Sequence, residues 1–196
     1  YGKAYASYQK SLQDSHAIDF DDMIVNTVKM LKENRLALEF YQRRFKYIMV
    51  DEYQDTNYAQ HLIVWLLTQH RQRVCVVGDD AQSIYSFRGA NIDNILRFQE
   101  QYSGSKLFKL EQNYRSTQTI VSAANSLISH NRGQIRKEVY SRKDMGEPIS
   151  VLQTYSDIDE ANAVMRCVRE FHRNECIPYC QMAVLYRTNA QSRSFE

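Results

Sequence analysis

The sequence predicts an α/β fold built on parallel sheets, and three observations predict it. Two short apolar runs, Tyr47-Ile48-Met49-Val50 and Val74-Cys75-Val76-Val77, each stop abruptly at a pair of acids, Asp51-Glu52 and Asp79-Asp80. Continuous rather than alternating apolar runs mark strands covered on both faces. Stretches with apolar residues at helical spacing alternate with these runs, as strand–helix–strand units require. Acids at the carboxyl ends of such strands occupy the place where open α/β sheets form ligand crevices.

Residues 3–14 carry Tyr and Leu at helical spacing. Asp19-Phe20-Asp21-Asp22 opens a helix, with Asp as N-cap and acids suited to the helix dipole. Phe20, Ile24, Val28 and Leu31 form its apolar stripe. A shorter helix over 36–44 leads into the first strand, 46–50, and residues 57–70 read as a buried helix, densely apolar from Leu62 to Leu67. The second strand spans 73–78, a helix follows over 92–102, and Leu107 to Leu110 reads as a third strand. Ser116 or Thr117 caps a helix reaching about 131. The polar stretch 131–147 reads as a loop. Strand 149–154, helix 157–173 (buried stripe Ala161, Val164, Val168, Phe171) and strand 182–187 complete a second alternating unit.

At 196 residues the chain has room for one large domain or two small ones. The formal net charge of +2 is too small to imply nucleic acid, so a basic surface must be local. No apolar run approaches the roughly 18 residues that cross a bilayer. The N-terminus carries no signal-peptide pattern. The four cysteines, Cys75, Cys167, Cys176 and Cys180, lack paired metal spacing and point to a reduced, cytosolic protein, with Cys75 in the core. The first residue is not Met and the last follow a strand-like segment, so the chain is expected to be a piece of a longer one.

The adjacent acids Asp51 and Glu52 can divide labour, one holding Mg²⁺ and the other orienting a water for attack on a phosphate; a solvated acidic turn is the plainer reading. After the second strand, Tyr85, Phe87 and Arg88 bring two aromatic faces and a guanidinium together, suited to unpaired bases and backbone phosphate, or else to core rings with a surface Arg. Arg115, just before a helix start, suits a terminal phosphate, and Tyr114 beside it suits a base; an N-capping turn with an incidental Arg is the alternative. Tyr186, Arg187, Asn189 and Arg193 again gather aromatic, basic and amide groups near a strand end.

Together these segments carry a family resemblance. VDEYQDTN (50–57), GDDAQSIYSFRGA (78–90), LEQNYRST (110–117) and AVLYRTNAQSR (183–193) resemble, in order and spacing, motifs of superfamily 1 DNA helicases of the UvrD/Rep/PcrA type. The similarity covers essentially residues 15–193. It implies a RecA-like (P-loop NTPase-type) α/β fold: parallel sheets with flanking helices, in parts of two lobes. Residues 1–14 would end an inserted helical subdomain, 15–112 would be the C-terminal part of the first lobe and 113–196 the N-terminal part of the second. The resemblance implies ATP and Mg²⁺ as cofactors and single-stranded DNA, or a junction of single- and double-stranded DNA, as partner. By motif, Asp51 binds Mg²⁺ with Glu52 beside it, and Glu52 polarises the attacking water. Gln82 senses the γ-phosphate, Tyr114 stacks on adenine and Arg115 reaches the γ-phosphate as an arginine finger in cis. Tyr85, Phe87, Arg88, Tyr186, Arg187 and Asn189 contact DNA.

The sequence departs from the family pattern in two respects. Phe87 stands where many members have Trp. No GxxxxGK[ST] loop occurs, and Gly2-Lys3 lacks both the preceding Gly and the preceding strand. Without that loop the β- and γ-phosphates lose most of their electrostatic support, so the polypeptide alone is expected to be inactive as an ATPase. Two other classes compete. A non-catalytic module binding single-stranded DNA or protein would use residues 85–88 and 186–193 but has no use for Asp51, Glu52 or Arg115. A metal nuclease would need Asp21, Asp22, Asp51 and Glu52 to converge on one metal.

Overall fold

Local capping chemistry sets the N-terminal helices of the computed structural model, which describes residues 2–195. After α1 (Gly2–Asp14), Asp19 starts α2 (Phe20–Glu33) through a reciprocal capping box with Asp22. Asn34 ends α2 in extended backbone and caps α3 (Arg35–Arg44), its Oδ1 accepting from the Ala37 amide at 3.0 Å. A second capping box, Asn57 with Gln60, starts α4 (Tyr58–Thr68). Helices α2, α3 and α4 pack on one another, and Gln42 Nε2 ties α3 to α4 by donating to the Leu66 carbonyl at 2.7 Å.

The first predicted strands form as a parallel pair, β1 (Ile48–Val50) and β2 (Val74–Val76), in register Ile48↔Val74, Met49↔Cys75, Val50↔Val76. Their placement bears out the α/β class. Their expected burial on both faces is not observed: Ile48, Val50, Val74 and Val76 are half-buried, whereas Met49 (77% exposed) and its neighbour Cys75 face outward. Cys75 is therefore a surface thiol rather than a core residue. The stripe of α2 holds at Ile24, Val28 and the fully buried Leu31, but Phe20, in its first turn, is 89% exposed.

The predicted helix 92–102 breaks at Arg97 into α5 (Asp93–Leu96) and α6 (Phe98–Gln101). Here the aromatic core collects. Phe98 stacks on Tyr102 at 4.5 Å and meets Tyr53 edge-on, while Trp65 of α4 meets Tyr102 edge-on at 5.5 Å. The hydroxyls of the two buried tyrosines are satisfied: Tyr102 Oη lies 2.7 Å from Thr68 Oγ1, and Tyr53 Oη lies 2.7 Å from His61 Nδ1.

Beyond residue 102 the strand expectations fail in part. Residues 107–110 form no strand, and Leu107, Phe108 and Leu110 are exposed. The strand lies just after them, as β3 (Gln112–Asn113), paired in parallel with β4 (Tyr140–Ser141) inside the stretch read as loop. Between them runs α7 (Gln118–Ile128). Residues 149–154 and 182–187 form no ladder among the described residues, and Val151 and Leu185 are exposed. The physical reason is common to all three segments. An apolar run shows that a segment suits a sheet, but a strand exists only where a second backbone meets its N–H and C=O groups.

The chain divides into two compact units, one up to Met145 and one from Gly146. The second contains α8 (Asp157–Asn174), capped by Ser156, whose Oγ accepts from the Asp159 amide. Of its expected stripe Ala161 is buried and Val164 and Val168 are half-buried, but Phe171 is exposed. Short 3₁₀ turns, Tyr179–Gln181 and Asn189–Ser194, complete this unit.

Candidate nucleotide and nucleic-acid site

The parallel pairing of β1 and β2 continues past the strand ends and brings their acids side by side. Val77 N–H donates to the Val50 carbonyl at 2.8 Å, and Tyr53 N–H donates to the Val77 carbonyl at 3.0 Å. Between these bonds the chain turns sharply at Glu52, whose φ of 48° and ψ of 43° place it in the left-handed region. A non-glycine residue there stores strain that surrounding contacts must hold. The restraints are close at hand. The Glu52 amide donates to Asp51 Oδ1 at 3.0 Å, and the Glu52 carboxylate accepts from Gln54 Nε2 at 2.7 Å. Both acids remain exposed to solvent.

Gln54 is 1% exposed and uses both ends of its amide. Its Oε1 accepts from the Asp79 backbone amide at 3.0 Å, so one side chain joins the end of β1 to the turn after β2. That approach requires glycine at 78: a Cβ there would stand 2.5 Å from Gln54 Oε1 and 2.8 Å from Ile95 Cδ1. Asp79 carries the link onward. Its Oδ1 accepts from the Ala81 amide and its Oδ2 from Gln82 Nε2 at 2.9 Å. Glu52, Gln54, Asp79 and Gln82 thus form one hydrogen-bonded chain across two strand ends. Thr56, four residues after Glu52, is tied to the far end of the same loop, its carbonyl accepting from Asn91 N–H and Asn94 Nδ2, each at 3.0 Å.

A cation completes the turn. Lys137 Nζ donates to Asp79 Oδ1 and, at 3.1 Å, to Asp80 Oδ1. Burial opposes ionisation of Asp79, but hydrogen bonds from Lys137, Gln82 and Ala81 outweigh it and hold its carboxyl below the ordinary carboxylate value. Burial likewise opposes the charge on Lys137, and the bonds and charges of Asp79 and Asp80 raise its pKa nevertheless.

Tyr85, Phe87 and Arg88 come together as one cluster around a 3₁₀ turn, Ser86–Arg88. The rings of Tyr85 and Phe87 lie 6.0 Å apart, and the Arg88 guanidinium sits 5.3 Å from the first ring centroid and 5.4 Å from the second. Phe87 is 74% exposed. These are not core rings: an aromatic and cationic surface stands open to solvent. Gly89, at φ 85°, ends the turn in a conformation that disfavours side chains.

Tyr114 and Arg115 follow β3, both exposed. Asn113 Oδ1 accepts from the Arg115 and Ser116 amides at 2.9 and 2.8 Å, and no hydrogen bond or ion pair holds the Arg115 guanidinium among the described residues. Thr117 precedes α7 as N-cap but its side chain makes no capping bond; instead the Gln118 and Thr119 amides donate to the Asp144 and Met145 carbonyls. Two of the helix amides that would suit a phosphate are therefore already engaged. In the second unit Tyr186, Arg187 and Asn189 are exposed around Thr188, with Gln191 Oε1 accepting from the Arg187 and Thr188 amides at 2.9 Å each.

Asp21 and Asp22 do not join Asp51 and Glu52: among the described residues no group of three or more His, Cys, Asp or Glu side chains is placed to hold a metal ion. Asp22 is engaged instead in the cap of α2. No helix of the described residues is long and apolar enough to cross a membrane.

Residues 1–103 match the family model described as UvrD/REP helicase N-terminal domain, and residues 108–196 match the UvrD-like helicase C-terminal domain. The chain belongs to the UvrD/Rep helicase family. Among similar relatives of this UvrD-type chain, the ATP-dependent DNA helicase PcrA of Leuconostoc citreum is 43% identical over 194 residues, covering 99% of the chain and 26% of the relative. The PcrA proteins of Staphylococcus epidermidis RP62A and Staphylococcus aureus Mu50 are 45% and 46% identical over 192 residues, each covering 98% of the chain and 26% of the relative. The chain thus spans about a quarter of the length of these relatives.

Two side chains that tie these strand ends together in this UvrD-type chain escaped sequence reasoning. Gln54 lies within VDEYQDTN, yet nothing local shows its amide bridging two strand ends. Lys137 lies 58 positions from Asp79 in a polar stretch with no signal of its own.

Proposed function

We propose that this chain is the central part of an ATP-dependent DNA helicase that couples hydrolysis of ATP to movement along single-stranded DNA. The observation that carries this reading is the chain Glu52–Gln54–Asp79–Gln82, which joins an exposed acidic pair to an exposed amide at adjacent strand ends. Such an arrangement suits phosphoryl transfer, where positioning and electrostatics supply nearly all of the catalysis. In it Glu52 orients the attacking water and accepts its proton, held in aim by Gln54. Gln82 contacts the γ-phosphate and shares the turn that leads into the Tyr85–Arg88 cluster, so occupancy of the nucleotide site is communicated to the DNA side. Arg115 neutralises charge developing on the γ-phosphate, and Tyr114 stacks on adenine.

Asp51 and Glu52 fit Mg²⁺, which takes one or two carboxylates alongside waters and substrate phosphates rather than a cage of protein ligands. Asp51 Oδ1 accepts from the Glu52 amide, and the residue is exposed to solvent. The chemistry supplied by bound Mg²⁺ is neutralisation of charge on the β- and γ-phosphates. Tyr85, Phe87 and Arg88 bind unpaired bases and backbone, and in the second unit Tyr186, Arg187 and Asn189 bind single-stranded DNA or its junction with duplex. Residues 1–14, 15–112 and 113–196 correspond to the end of a helical subdomain and to parts of two RecA-like lobes. Residues 1–196 alone, lacking a phosphate-cradling loop, do not hydrolyse ATP.

The test is the Glu52→Gln substitution in the full-length protein that contains this chain. Hydrolysis stimulated by single-stranded DNA should fall by roughly a thousandfold while ATP binding persists. Hydrolysis within about threefold of the parent would sink the reading. A non-catalytic DNA-binding module would show no nucleotide binding in the parent protein at all.

A further inference from the structure

Residues 135–143 run as a strap between two parts of the nucleotide site. On one side the Ile135 amide donates to Asp80 Oδ2 at 2.7 Å, and Lys137 Nζ bridges Asp79 and Asp80. On the other side the Glu138 amide donates to Glu111 Oε1 at 3.1 Å, and β4 pairs with β3. Ser141 Oγ donates to the Ser116 carbonyl and Lys143 Nζ to the Arg115 carbonyl, both at 2.7 Å. The strap therefore touches the turn that carries Gln82 and the backbone that carries Arg115.

Lys137 is the charged centre of this contact. The Asp80 side chain is 3% exposed, that of Lys137 19% and that of Asp79 34%. Asp79 serves three partners at once: Oδ2 receives Gln82 Nε2, and Oδ1 receives Lys137 and the Ala81 amide. Without the ammonium, Asp80 would keep only the Ile135 amide against a buried, uncompensated charge, and the turn would have to open to water. Gln82 would then lose the acceptor that aims it.

We propose that Lys137 is a positioning residue for ATP hydrolysis: clasped between Asp79 and Asp80, it fixes the turn that aims Gln82 and locks that turn to the strap that holds Arg115. The inference rests on the nucleotide-site reading given above. Lys137 touches no reacting atom, so its removal should slow turnover without weakening nucleotide binding.

The experiment measures DNA-stimulated ATP hydrolysis by the full-length protein carrying Lys137→Met, Lys137→Arg, Gln82→Ala or Lys137→Met with Gln82→Ala. Lys137→Met should lower kcat by about tenfold with KM for ATP within about twofold, and Lys137→Arg should keep most of the activity. In the Gln82→Ala background Lys137→Met should cost less than about twofold more, because both act through one amide. Full kcat in Lys137→Met, or additive losses in the double variant, overturns the proposal. Should Lys137→Met not fold, Lys137→Gln, which keeps a donor without the charge, is measured in the same way. Failure of both to fold would assign Lys137 a structural role and also overturn it. Glu52→Gln and Gln82→Ala serve as controls for the site itself: if either leaves hydrolysis intact, the nucleotide-site reading fails. If both lower it strongly but measurably while Lys137→Met does not, only the role of Lys137 fails.

Discussion

Gln54 Nε2 donates to the carboxylate of Glu52 at 2.7 Å, and the same amide, through Oε1, receives the Asp79 backbone N–H at 3.0 Å. One fully buried side chain therefore sets both the aim of the acid and its distance from the Gln82 turn. Glu52 sits in left-handed backbone, and the bond from Gln54 is among the contacts that hold it there.

Replacing Gln54 by Leu in the full-length protein should release Glu52 and leave the Asp79 amide unsatisfied. We expect kcat for DNA-stimulated hydrolysis to fall by roughly tenfold to a hundredfold with little change in ATP affinity, as for other groups that orient a catalytic side chain. Gly78→Ala should reproduce the defect, since its Cβ would meet Gln54 Oε1 at 2.5 Å. Steady-state kinetics with separate determination of kcat and KM checks both; unchanged kcat in both variants would rule out this role for Gln54.

The pair Tyr53–His61 should leave a signature in stability against pH. Burial holds the His61 imidazole below the ordinary histidine value. The unfolded state therefore binds more protons in this range, so stability is full above about pH 6.5 and declines as pH falls through the lower folded value. Denaturant midpoints should drop between about pH 7.5 and about pH 5, and His61→Gln should flatten that slope. Tyr53→Phe, which strips the partner 2.7 Å from His61 Nδ1, should cost about 1–2 kcal/mol at neutral pH and leave the acid slope in place.

Phe87 offers a prediction of the opposite sign in two variants. With most of its ring in solvent beside Arg88, Phe87→Ala should weaken binding of single-stranded oligonucleotides by about 1–3 kcal/mol, the range for one stacking partner. Phe87→Trp offers a larger face and should bind as tightly or tighter. Arg88→Ala should also make binding less steeply dependent on salt, because a phosphate contact is lost. Fluorescence anisotropy at several salt concentrations checks all three, and equal affinities for Phe87→Ala and the parent would exclude stacking at this ring.

Much of the fold was legible because the relevant signals are short. Asp19 declares a helix start within the first residues of its segment, and its capping box with Asp22 forms. The parallel strands that end at Asp51 and Asp79 were readable from apolar runs bounded by acids. The same signal misled at Leu107–Leu110, Val151 and Leu185, where apolar residues find no ladder partner and stand exposed. It also missed β4, because Tyr140-Ser141 is polar at one position and pairs over only two residues.

The site divides along the same line. Motif windows of eight to thirteen residues named Asp51, Glu52, Gln82, Tyr85, Phe87, Arg88, Tyr114 and Arg115, since their chemistry is written in adjacent positions. Packing alone settled which groups hold them. Gln54 reaches Asp79 across 25 positions and Lys137 reaches Asp79 across 58. A hydrogen bond or ion pair over such separations depends on where two backbones come to lie, and no periodicity or composition within either segment encodes that meeting.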